Sequence, residues 1–355
     1  MKSPRIALIA PSVDILGGQS VQARAVADGL RRDGYHVLFV PINPRFPAPL
    51  RGLRRLPYAR TLVNQALYLP SLARLRRADV AHIFSASYWS FLLSPLPAIV
   101  LARGLGKRTV LHYHSGEADD HLARWGALVH PWLRLVDEIV VPSEYLRRVF
   151  ERHGYRTRVV PNVVDTRRFA YRDRVPLRPR LVSSRNLDPY YRVDVTIEAF
   201  ALVKARHPEA TLTVAGDGSE REKLRRLAAA VAGGGVRFAG PVAPSAMPDL
   251  YAEADIFLNA SVIDNQPVSV LEAFAAGLPV VSTATGDIAA LVRDGETGLV
   301  VPPGDPTAVA KAVTALLEHP DRALGMARRA RREVDAYSWP RVRDQWARVY
   351  AGAAA

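Results

Sequence analysis

Residues 255–283 read DIFLNASVIDNQPVSVLEAFAAGLPVVST and contain one complete copy of the unit that decides the fold. The segments at 255–260 and 280–283, which contain the apolar residues 256–258 and 280–281, have the length and composition of buried strands. Between them, Pro267 suits the first turn of a helix and Gly277 suits its exit. Two strands that are joined by a helix and short loops run parallel. This stretch therefore predicts an α/β fold with a parallel sheet.

The same alternation extends outward from this stretch in both directions. In the second half, further strands are predicted at 181–184, 211–215, 236–239 and 298–301, and helices at 193–206, 220–232, 246–254, 268–276, 288–292 and 306–318. In the first half, strands are predicted at 5–10, 36–42, 80–84, 108–112, 138–141 and 158–160, and helices at 17–32, 88–103, 121–135 and 144–153. Two series of this kind predict two doubly wound parallel sheets with helices on both faces.

Residues 166–180 separate the two series, because they carry prolines and many arginines without an apolar period. We therefore expect a first domain at 1–165, a linker at 166–180 and a second domain at 181–336. A helix within 337–355 is expected to cross back toward the first domain. Ligands of such sheets bind outside the carboxyl ends of the strands, so we expect the site in a cleft that both domains face.

The composition excludes several classes of protein. Hydrophobic residues make up 49% of the 355 residues and charged residues 23%, which is typical of a globular protein and not of a disordered one. The absence of cysteine excludes disulfide frameworks, thiolate metal sites and cysteine nucleophiles. The amino-terminal residues lack the profile of a signal peptide, and no apolar window is long enough to span a membrane. We expect a cytoplasmic protein.

The chain carries a formal net charge of +14, which favours anionic partners such as phosphates and acidic lipids. Its most basic region is residues 34–78, where no acidic residue occurs and arginines are interleaved with leucines and tyrosines. Such a stretch can lie on an anionic membrane surface, here as a peripheral contact at the inner face of the membrane. It can equally be a pair of solvated helices that pack their leucines inward. No nucleic-acid partner is expected, because no recognised nucleic-acid module is present.

The loop before the helix at 268–276 combines the features of a nucleotide-sugar site. Unpaired N–H groups and the dipole at a helix N-terminus attract a phosphate. Asp264 lies in that loop and Glu272 one turn into the helix, where their carboxylates can accept hydrogen bonds from sugar hydroxyls. A carboxylate beside a phosphate would repel the phosphate, so we expect these carboxylates to bind the sugar instead. The candidate donor-binding residues of this segment are Asp264, Asn265, Gln266, Pro267, Val268, Ser269 and Glu272.

Several motifs along the chain follow one order. Asp264, seven further residues and Glu272 precede Gly277-Leu278-Pro279-Val280. The other motifs are Val141-Pro142-Ser143-Glu144, Val160-Pro161-Asn162-Val163-Val164-Asp165, Ala215-Gly216-Asp217-Gly218 and residues 295–302. Together they resemble the retaining glycosyltransferases of family 4, which have the GT-B architecture of two Rossmann-like domains. The resemblance covers essentially the whole chain.

The resemblance implies roles for matching positions. Arg185 and Arg192 match cations that bind the donor diphosphate and stabilise the charge of the leaving group without a metal ion. Gly216 matches a glycine turn on the donor side, and His114 matches a histidine near the reactive face of the sugar. The acceptor side is assigned to Gly17, Gly18 and His114, with Gly18 also near the donor. No metal or cofactor is expected, since no Asp-x-Asp motif stands in a convincing place.

The sequence departs from the family pattern at four places that bear on the donor. Asp264 is shorter than the usual glutamate by one methylene group, which changes its reach to the donor sugar. Residues 265–266 read Asn-Gln where Gly-Phe is more frequent, and Val163 replaces a glycine. Asp287 replaces the second residue of a common Gly-Gly turn and brings a carboxylate near the diphosphate, which points to weakened donor binding.

The resemblance thus implies a retaining glycosyltransferase that moves a sugar from a nucleoside-diphosphate-sugar to an acceptor held mainly by the first domain. The acceptor is expected to be lipid-linked or a growing polysaccharide. In the mechanism that the resemblance implies, the leaving phosphate assists same-face attack by the acceptor hydroxyl. The catalytic residues would be His114, Asp264, Arg185 and Arg192. Two alternatives stay open, namely a nucleotide-sugar epimerase of the same fold and a catalytically silent protein that binds anionic lipid or nucleic acid.

Overall fold

The computed structural model describes residues 3–12 and 17–352, which form two compact units. One unit contains the chain up to Pro161 together with the segment from Val342 onward. The other unit is Asn162–Arg341. The chain therefore enters the second unit ahead of the predicted linker and returns to the first unit within its last helix.

Within the described residues, the first unit contains a six-stranded sheet in which all neighbours are parallel. Its strands are β1 (Ile6–Ala10), β2 (Val37–Pro41), β3 (Val80–Ser85), β4 (Arg108–Tyr113), β5 (Glu138–Val141) and β6 (Arg158–Val159), in the order β2-β1-β3-β4-β5-β6. Its helices are α1 (Gly18–Arg32), α2 (Pro57–Ser71), α3 (Trp89–Leu93), α4 (Pro95–Gly104), α5 (Ala118–Arg124), α6 (Gly126–Leu133) and α7 (Glu144–Arg152). Every residue of β1 and β3 is buried, as expected for strands covered on both faces.

The second unit, in the part of the chain that the structure describes, also contains a six-stranded parallel sheet. Its strands are β7 (Arg180–Ser184), β8 (Thr211–Ala215), β9 (Val236–Gly240), β10 (Ile256–Asn259), β11 (Val280–Thr283) and β12 (Leu299–Val301), in the order β12-β11-β10-β7-β8-β9. The helices are α8 (Val193–Arg206), α9 (Arg221–Val231), α10 (Met247–Glu253), α11 (Val268–Ala276), α12 (Ile288–Leu291), α13 (Pro306–Glu318) and α14 (Pro320–Glu333). Helix α15 (Trp339–Ala351) begins in this unit and belongs to the first unit from Val342 onward. The strand order reverses between β7 and β10, and ligands of doubly wound sheets bind at that switch point.

Helix α11 has the bounds that its flanking residues predict. Pro267 is the residue before the helix, and Gly277 ends it in the left-handed region at φ 76°. A Cβ at Gly277 would lie 2.6 Å from the Tyr171 ring and 3.0 Å from the Arg172 carbonyl oxygen. Both the backbone conformation and the space therefore require glycine there. The helix residues from Ser269 onward are buried, so α11 is a core helix that carries its polar side chains into the protein.

Residues 166–180 belong to the second unit and are not the separate linker that the sequence predicts. Their anchor is Arg174, which is 3% exposed and donates hydrogen bonds to the carbonyl oxygens of Arg172, Tyr251 and Ala276. Tyr251 and Ala276 lie in the last turns of α10 and α11, where carbonyl groups can accept further hydrogen bonds. Burial lowers the pKa of Arg174 to about 10. Because hydrogen bonds of an arginine to helix ends hold this segment, it packs without a periodic pattern of apolar residues. The sequence pattern therefore did not reveal that it packs against the second unit.

Two helices that the sequence predicts as single are each divided. The predicted helix at 88–103 is α3 and α4, which are separated at Ser94 because Pro95 begins the second of them. The predicted helix at 121–135 is α5 and α6, which meet at Trp125. Elsewhere each predicted element corresponds to an observed element of the same type and differs from it, if at all, only at the ends.

Candidate functional site

The switch point of the second sheet brings two predicted site residues together. Arg185 is the first residue after β7, and Asp264 lies in the loop after β10, which is the neighbouring strand. Because parallel strands present their carboxyl ends at one edge of the sheet, the two loops meet at that edge. Helix α11 begins at Val268, directly after the second of these loops.

Arg185 and Asp264 form a largely buried ion pair between the loops. One Nη of Arg185 donates to an Asp264 carboxylate oxygen, and the other donates to Ser269 Oγ at 2.9 Å. The two charged side chains are 9% and 11% exposed, and the Tyr191 ring centroid lies 4.3 Å from Arg185 Cζ. Ser261 donates a further hydrogen bond of 3.0 Å to Asp264. Arg185 thereby joins the loop to the first turn of α11, while its Nε has no hydrogen-bond partner within the described residues.

Two glycines allow other loops to pack against the backbone of this ion pair. Gly216, which follows β8, has φ 140°, and a Cβ there would overlap the carbonyl group of Arg185. Gly286, in the loop after β11, has φ 61°, and a Cβ there would overlap the carbonyl group of Asp264. Such backbone conformations and such close approach require glycine. The structure thus gives both glycines a supporting role, and a contact of Gly216 with the donor stays a prediction.

Glu272 lies one turn into α11 and has one hydrogen bond. Tyr251 Oη donates to Glu272 Oε2 at 3.0 Å, and Ser184 Oγ lies 2.7 Å from the same hydroxyl. No second hydrogen bond to the Glu272 carboxyl occurs among the described residues. Burial raises the pKa of Glu272 to about 7, although the Tyr251 hydrogen bond acts in the opposite direction. Glu272 therefore retains acceptor capacity for hydroxyl groups of a ligand.

Gln266 connects two distant segments of the second unit to the loop. Its Oε1 accepts a hydrogen bond of 2.7 Å from the Asn162 backbone, and Asn162 Nδ2 donates to the Gln266 carbonyl at 2.8 Å. Gln266 Nε2 donates to Asp287 Oδ2 at 3.4 Å. All three side chains are buried. Other residues of the protein therefore hold the Gln266 amide, and Asp287 lies beside it. Contacts of Gln266 and of its buried neighbour Asn265 with the donor stay predictions.

Arg192 stands at the start of α8 and is not bonded to the ion pair. Its guanidinium donates hydrogen bonds of 3.0, 3.1 and 3.0 Å to Asp194, and its side chain makes no others in the described part of the chain. Arg192 has φ 47° and ψ 45°, a left-handed conformation that costs about 1–2 kcal/mol in a residue with a Cβ. Of the two cations predicted for the diphosphate, the structure brings only Arg185 to Asp264 and Ser269.

In the first unit, His114 follows β4 at the carboxyl edge of the sheet. Its ring stacks on Phe84 at a centroid distance of 5.0 Å and lies 4.0 Å from the ring of His112. Its buried Nε2 has no hydrogen-bond partner among residues 3–12 and 17–352. Burial lowers the pKa of His114 to about 3, so the ring is neutral at pH 7. A neutral imidazole with an unsatisfied nitrogen is suited to bind a hydroxyl group.

Gly17 and Gly18 lie where the chain enters α1, on the carboxyl side of β1. Gly17 has φ 168°, which is extended backbone that any residue adopts. A Cβ at either position would meet no atom of the described structure within 4 Å. Packing against the described residues therefore does not require glycine at these two positions, and a ligand contact there stays a prediction.

Two family models match the chain, one in each half. The model described as Glycosyltransferase Family 4 matches residues 16–168, and the model described as Glycosyl transferases group 1 matches residues 178–319. The chain belongs to glycosyltransferase family 4.

Curated relatives of this family-4 glycosyltransferase are similar over much of its length. The phosphatidyl-myo-inositol mannosyltransferase of Mycolicibacterium smegmatis is 26% identical over 98% of this chain and 93% of its own length. The D-inositol 3-phosphate glycosyltransferase of Geodermatophilus obscurus is 32% identical over 60% of this chain. That match spans 51% of the relative, so the chain covers about half of that protein's length.

Solved structures match the family-4 glycosyltransferase over nearly its whole chain. Anabaena HepE in complex with UDP-glucose has a TM-score of 0.77 at 16% identity and covers 98% of this chain and 99% of its own. Sucrose-phosphate synthase from Thermosynechococcus elongatus has a TM-score of 0.74 at 21% identity and covers 98% of both chains. At these identities the likeness shows the fold. Together with the two parallel sheets, it confirms the predicted GT-B fold.

The family-4 glycosyltransferase also contains a chain of buried hydrogen bonds beside His114. Tyr350 Oη, on α15, lies 2.8 Å from His82 Nδ1, and His82 Nε2 lies 3.2 Å from His112 Nδ1. No other acceptor for the Tyr350 hydroxyl occurs among the described residues, so Tyr350 donates to His82 and His82 donates to His112. Burial lowers the pKa of His82 to about 3 and that of His112 well below its ordinary value. Both rings are neutral, and His112 then carries its proton on Nε2.

Sequence reasoning missed several residues that shape the site of the family-4 glycosyltransferase. Tyr251 and Tyr191 contact Glu272 and Arg185 from segments without a motif, so no local signal pointed to them. Gly286 was recognised as the first residue of the turn that contains Asp287, but its packing against the Asp264 carbonyl was not predicted. Within the described ranges, no group of three or more His, Asp or Glu side chains is arranged to hold a metal ion.

Proposed function

We propose that this protein is a retaining glycosyltransferase that transfers a sugar, without a metal ion, from a nucleoside-diphosphate-sugar to a lipid-linked or polysaccharide acceptor. The observation that carries the proposal is the cluster of Arg185, Asp264, Ser269 and Glu272 around the first turns of α11. Two similar proteins support it by name: Anabaena HepE was solved with UDP-glucose, and the Mycolicibacterium smegmatis relative is a phosphatidyl-myo-inositol mannosyltransferase.

In this proposal the donor diphosphate binds at the N-terminus of α11. The first N–H groups of a helix have no partner within the helix and carry the positive end of its dipole. Arg185 already contacts the first turn through Ser269, and its Nε is unpaired among the described residues. A diphosphate there would attract the guanidinium, which binds phosphate oxygens through two parallel hydrogen bonds. Glu272 would accept hydrogen bonds from the ribose through the carboxylate oxygen that Tyr251 does not contact.

The ion pair of Arg185 and Asp264 then prepares both residues for the donor. When Arg185 turns to the diphosphate, the carboxylate of Asp264 becomes available to the hydroxyls of the transferred sugar. In this exchange Arg185 passes from one anion to another, and Asp264 accepts hydrogen bonds from hydroxyl groups in place of its ion pair. Neither buried charge is left without a partner, which would cost about 3–5 kcal/mol. Arg192 would add a second cation by leaving Asp194 for the diphosphate.

The transfer step balances without a protein nucleophile. The bond between the sugar C1 and the diphosphate oxygen breaks while a bond from C1 to the acceptor oxygen forms on the same face. The proton of the acceptor hydroxyl passes to the leaving diphosphate oxygen. Arg185 and the dipole of α11 stabilise the negative charge that grows on the diphosphate. His114, as a neutral hydrogen-bonding group, positions a sugar hydroxyl, and Gly17 and Gly18 admit the ligands close to the backbone.

The test combines donor binding with the stereochemistry of the product. Thermal unfolding with a panel of nucleoside diphosphates and their sugars should identify one nucleotide class that stabilises the protein by mass action. Glu272→Ala should lose this stabilisation, while Glu222→Gln, which changes an exposed carboxyl on α9, should keep it. NMR of the glycoside formed should show the anomeric configuration of the donor, and EDTA should leave the rate unchanged.

Each alternative gives a different result in the same experiments. An inverted anomer or a rate lost with EDTA would overturn the retaining, metal-free proposal. A free, altered sugar formed from the donor without acceptor would indicate an epimerase. If no nucleotide of the panel stabilised the wild-type protein, a binding protein without transferase activity would replace the proposal.

The first unit is also proposed to lie against an anionic membrane, through the basic stretch at 34–78. Its later part packs inward, since Tyr68, Leu72 and Leu75 are buried. Its earlier part leaves apolar side chains in water, with Tyr58 88% exposed and Leu62 72% exposed on α2. The exposed arginines of this part are Arg51, Arg54, Arg55 and Arg60. Apolar side chains among cations suit the boundary between anionic headgroups and acyl chains.

Sedimentation with vesicles of phosphatidylcholine, with and without phosphatidylglycerol, tests this contact. The double variant Tyr58→Ser/Leu62→Ser should reduce the bound fraction about tenfold, because each side chain loses its burial in the interface. Leu202→Ser, which removes an equally apolar side chain that is 45% exposed on α8, should bind like the wild type. Equal binding of all three proteins would contradict the proposal. Among the described residues, no helix has the length and apolarity to cross a membrane.

A further inference from the structure

A cleft lies in the first unit, at the opposite edge of the sheet from His114. It has a volume of about 640 Å³ and is lined by the starts of β4, β5 and β6, the loop after α7 and the end of α15. Arg108 begins β4, and His114 follows the other end of that six-residue strand, which spans about 20 Å. The cleft is therefore separate from the candidate acceptor site.

The floor of this cleft carries more positive than negative charge. Glu138 pairs with both Arg108 and Arg158, at 2.7 and 2.6 Å, so one carboxylate faces two guanidiniums. These three side chains are 27% exposed or less. The other acid of the cleft, Asp137, pairs with Arg103, which lies outside the lining, at 2.8 Å. The acids present therefore do not neutralise the cleft.

The rim adds two further arginines and an unsatisfied hydroxyl. Arg134 and Arg156 line the cleft, are exposed, and form no ion pair in the described part of the chain. Thr157 also lines the cleft, and its Oγ1 is buried and has no hydrogen-bond partner among the described residues. A buried hydroxyl without a partner is unfavourable, and a ligand atom that bonds to it removes the penalty. Cations with a free hydroxyl indicate an anionic ligand with oxygen atoms.

We propose that this cleft binds the phosphate group of a small phosphorylated molecule. The planar guanidiniums of Arg134 and Arg156 match the oxygens of a phosphate, and Thr157 supplies a further hydrogen bond. The volume lies within the range of small-molecule sites, so the cleft accommodates the organic part of a phosphate ester as well as the phosphate itself. Arg108 also donates to the Val349 carbonyl at 3.2 Å, which joins the floor of the cleft to the end of α15.

Ligand-induced changes in melting temperature test the proposal, with inorganic phosphate, glycerol 3-phosphate and phosphatidic acid vesicles as probes. Glycerol 3-phosphate should stabilise the wild-type protein and also Arg185→Gln, in which the separate donor site is impaired. The double variant Arg134→Gln/Arg156→Gln should lower the affinity about tenfold or more. The double variant Arg206→Gln/Arg332→Gln loses the same charge from exposed arginines of the second unit and should bind like the wild type. Thr157→Val should weaken binding without lowering the melting temperature of the free protein.

The outcomes separate this proposal from the donor site. Equal stabilisation of Arg134→Gln/Arg156→Gln and the wild type, or no stabilisation by any probe, would overturn it. Stabilisation that is lost only in Arg185→Gln would place the phosphate at the donor site, which overturns the cleft and supports the proposed function. Binding to phosphatidic acid vesicles alone, if abolished by Arg134→Gln/Arg156→Gln, would support the cleft and identify a lipid headgroup as the source of the phosphate.

Discussion

Replacement of Glu272 by glutamine should stabilise the protein at neutral and alkaline pH. Burial in α11 raises the pKa of Glu272 from an ordinary value of 4.5 to about 7. The folded protein therefore holds a proton that the unfolded chain releases between these values, and the free energy of unfolding falls as the pH rises through that range. At about 1.4 kcal/mol per pKa unit, the loss is about 3 kcal/mol above pH 7 and is absent below the unfolded value.

Urea unfolding at a series of pH values measures this loss directly. Glu272→Gln keeps an oxygen that can accept the hydrogen bond from Tyr251 and carries no charge at any pH. The variant and the wild type should therefore be about equally stable near the unfolded pKa, and the variant should gain about 3 kcal/mol at mildly alkaline pH. Glu222→Gln, at an exposed site, should show no such trend. A constant difference between Glu272→Gln and the wild type at all pH values would refute the reasoning, because it would mean that Glu272 is not desolvated.

Three further predictions test the geometry of the site. Gly286→Ala should lower the free energy of unfolding by about 3 kcal/mol or more, because its Cβ would overlap the Asp264 carbonyl. Gly304→Ala, also at positive φ but with room for a Cβ, should lower it by about 1 kcal/mol. Equal losses of the two variants in thermal melts would contradict this packing. Tyr350→Phe removes only the hydroxyl that contacts His82 and should lower the free energy of unfolding by about 1 kcal/mol. Nitrogen NMR spectra of the variant should show altered histidine tautomers, and unchanged spectra would exclude the hydrogen-bond chain. Arg185→Lys keeps the charge but cannot form bidentate hydrogen bonds, so donor affinity measured by calorimetry should fall about tenfold or more. An unaltered Kd would rule out binding of the diphosphate by Arg185.

The fold could be predicted because its signals lie in adjacent residues. β1 is a continuous apolar run and β10 is apolar up to Asn259, since strands covered on both faces need apolar side chains on both sides. Pro267 and Gly277 mark the ends of α11 through their own backbone preferences. The position of Asp264 and Glu272 at the head of this helix followed from the same local reasoning.

The contacts within the site could not be predicted, because they join positions that are far apart in the chain. Arg185 and Asp264 are 79 residues apart, and no feature of the sequence near either residue indicates that they form an ion pair. Gln266 and Asn162 are separated by 104 residues, and their contact depends on how α11 is placed against the start of the second unit. The sequence therefore identified the loop that forms the site but not which of its polar side chains bind one another.

The division of the first unit along the chain imposes an order on its folding during synthesis. The segment from Val342 is made only after the whole of the second unit, which takes the ribosome on the order of ten seconds or more. Until then His82 and His112 lack Trp346 and Tyr350, whose rings pack against them in the finished protein. The second unit is one continuous stretch and can fold as soon as it leaves the ribosome. The first unit should therefore be the part of the nascent chain that chaperones bind and that is prone to aggregate, although it is the first to emerge.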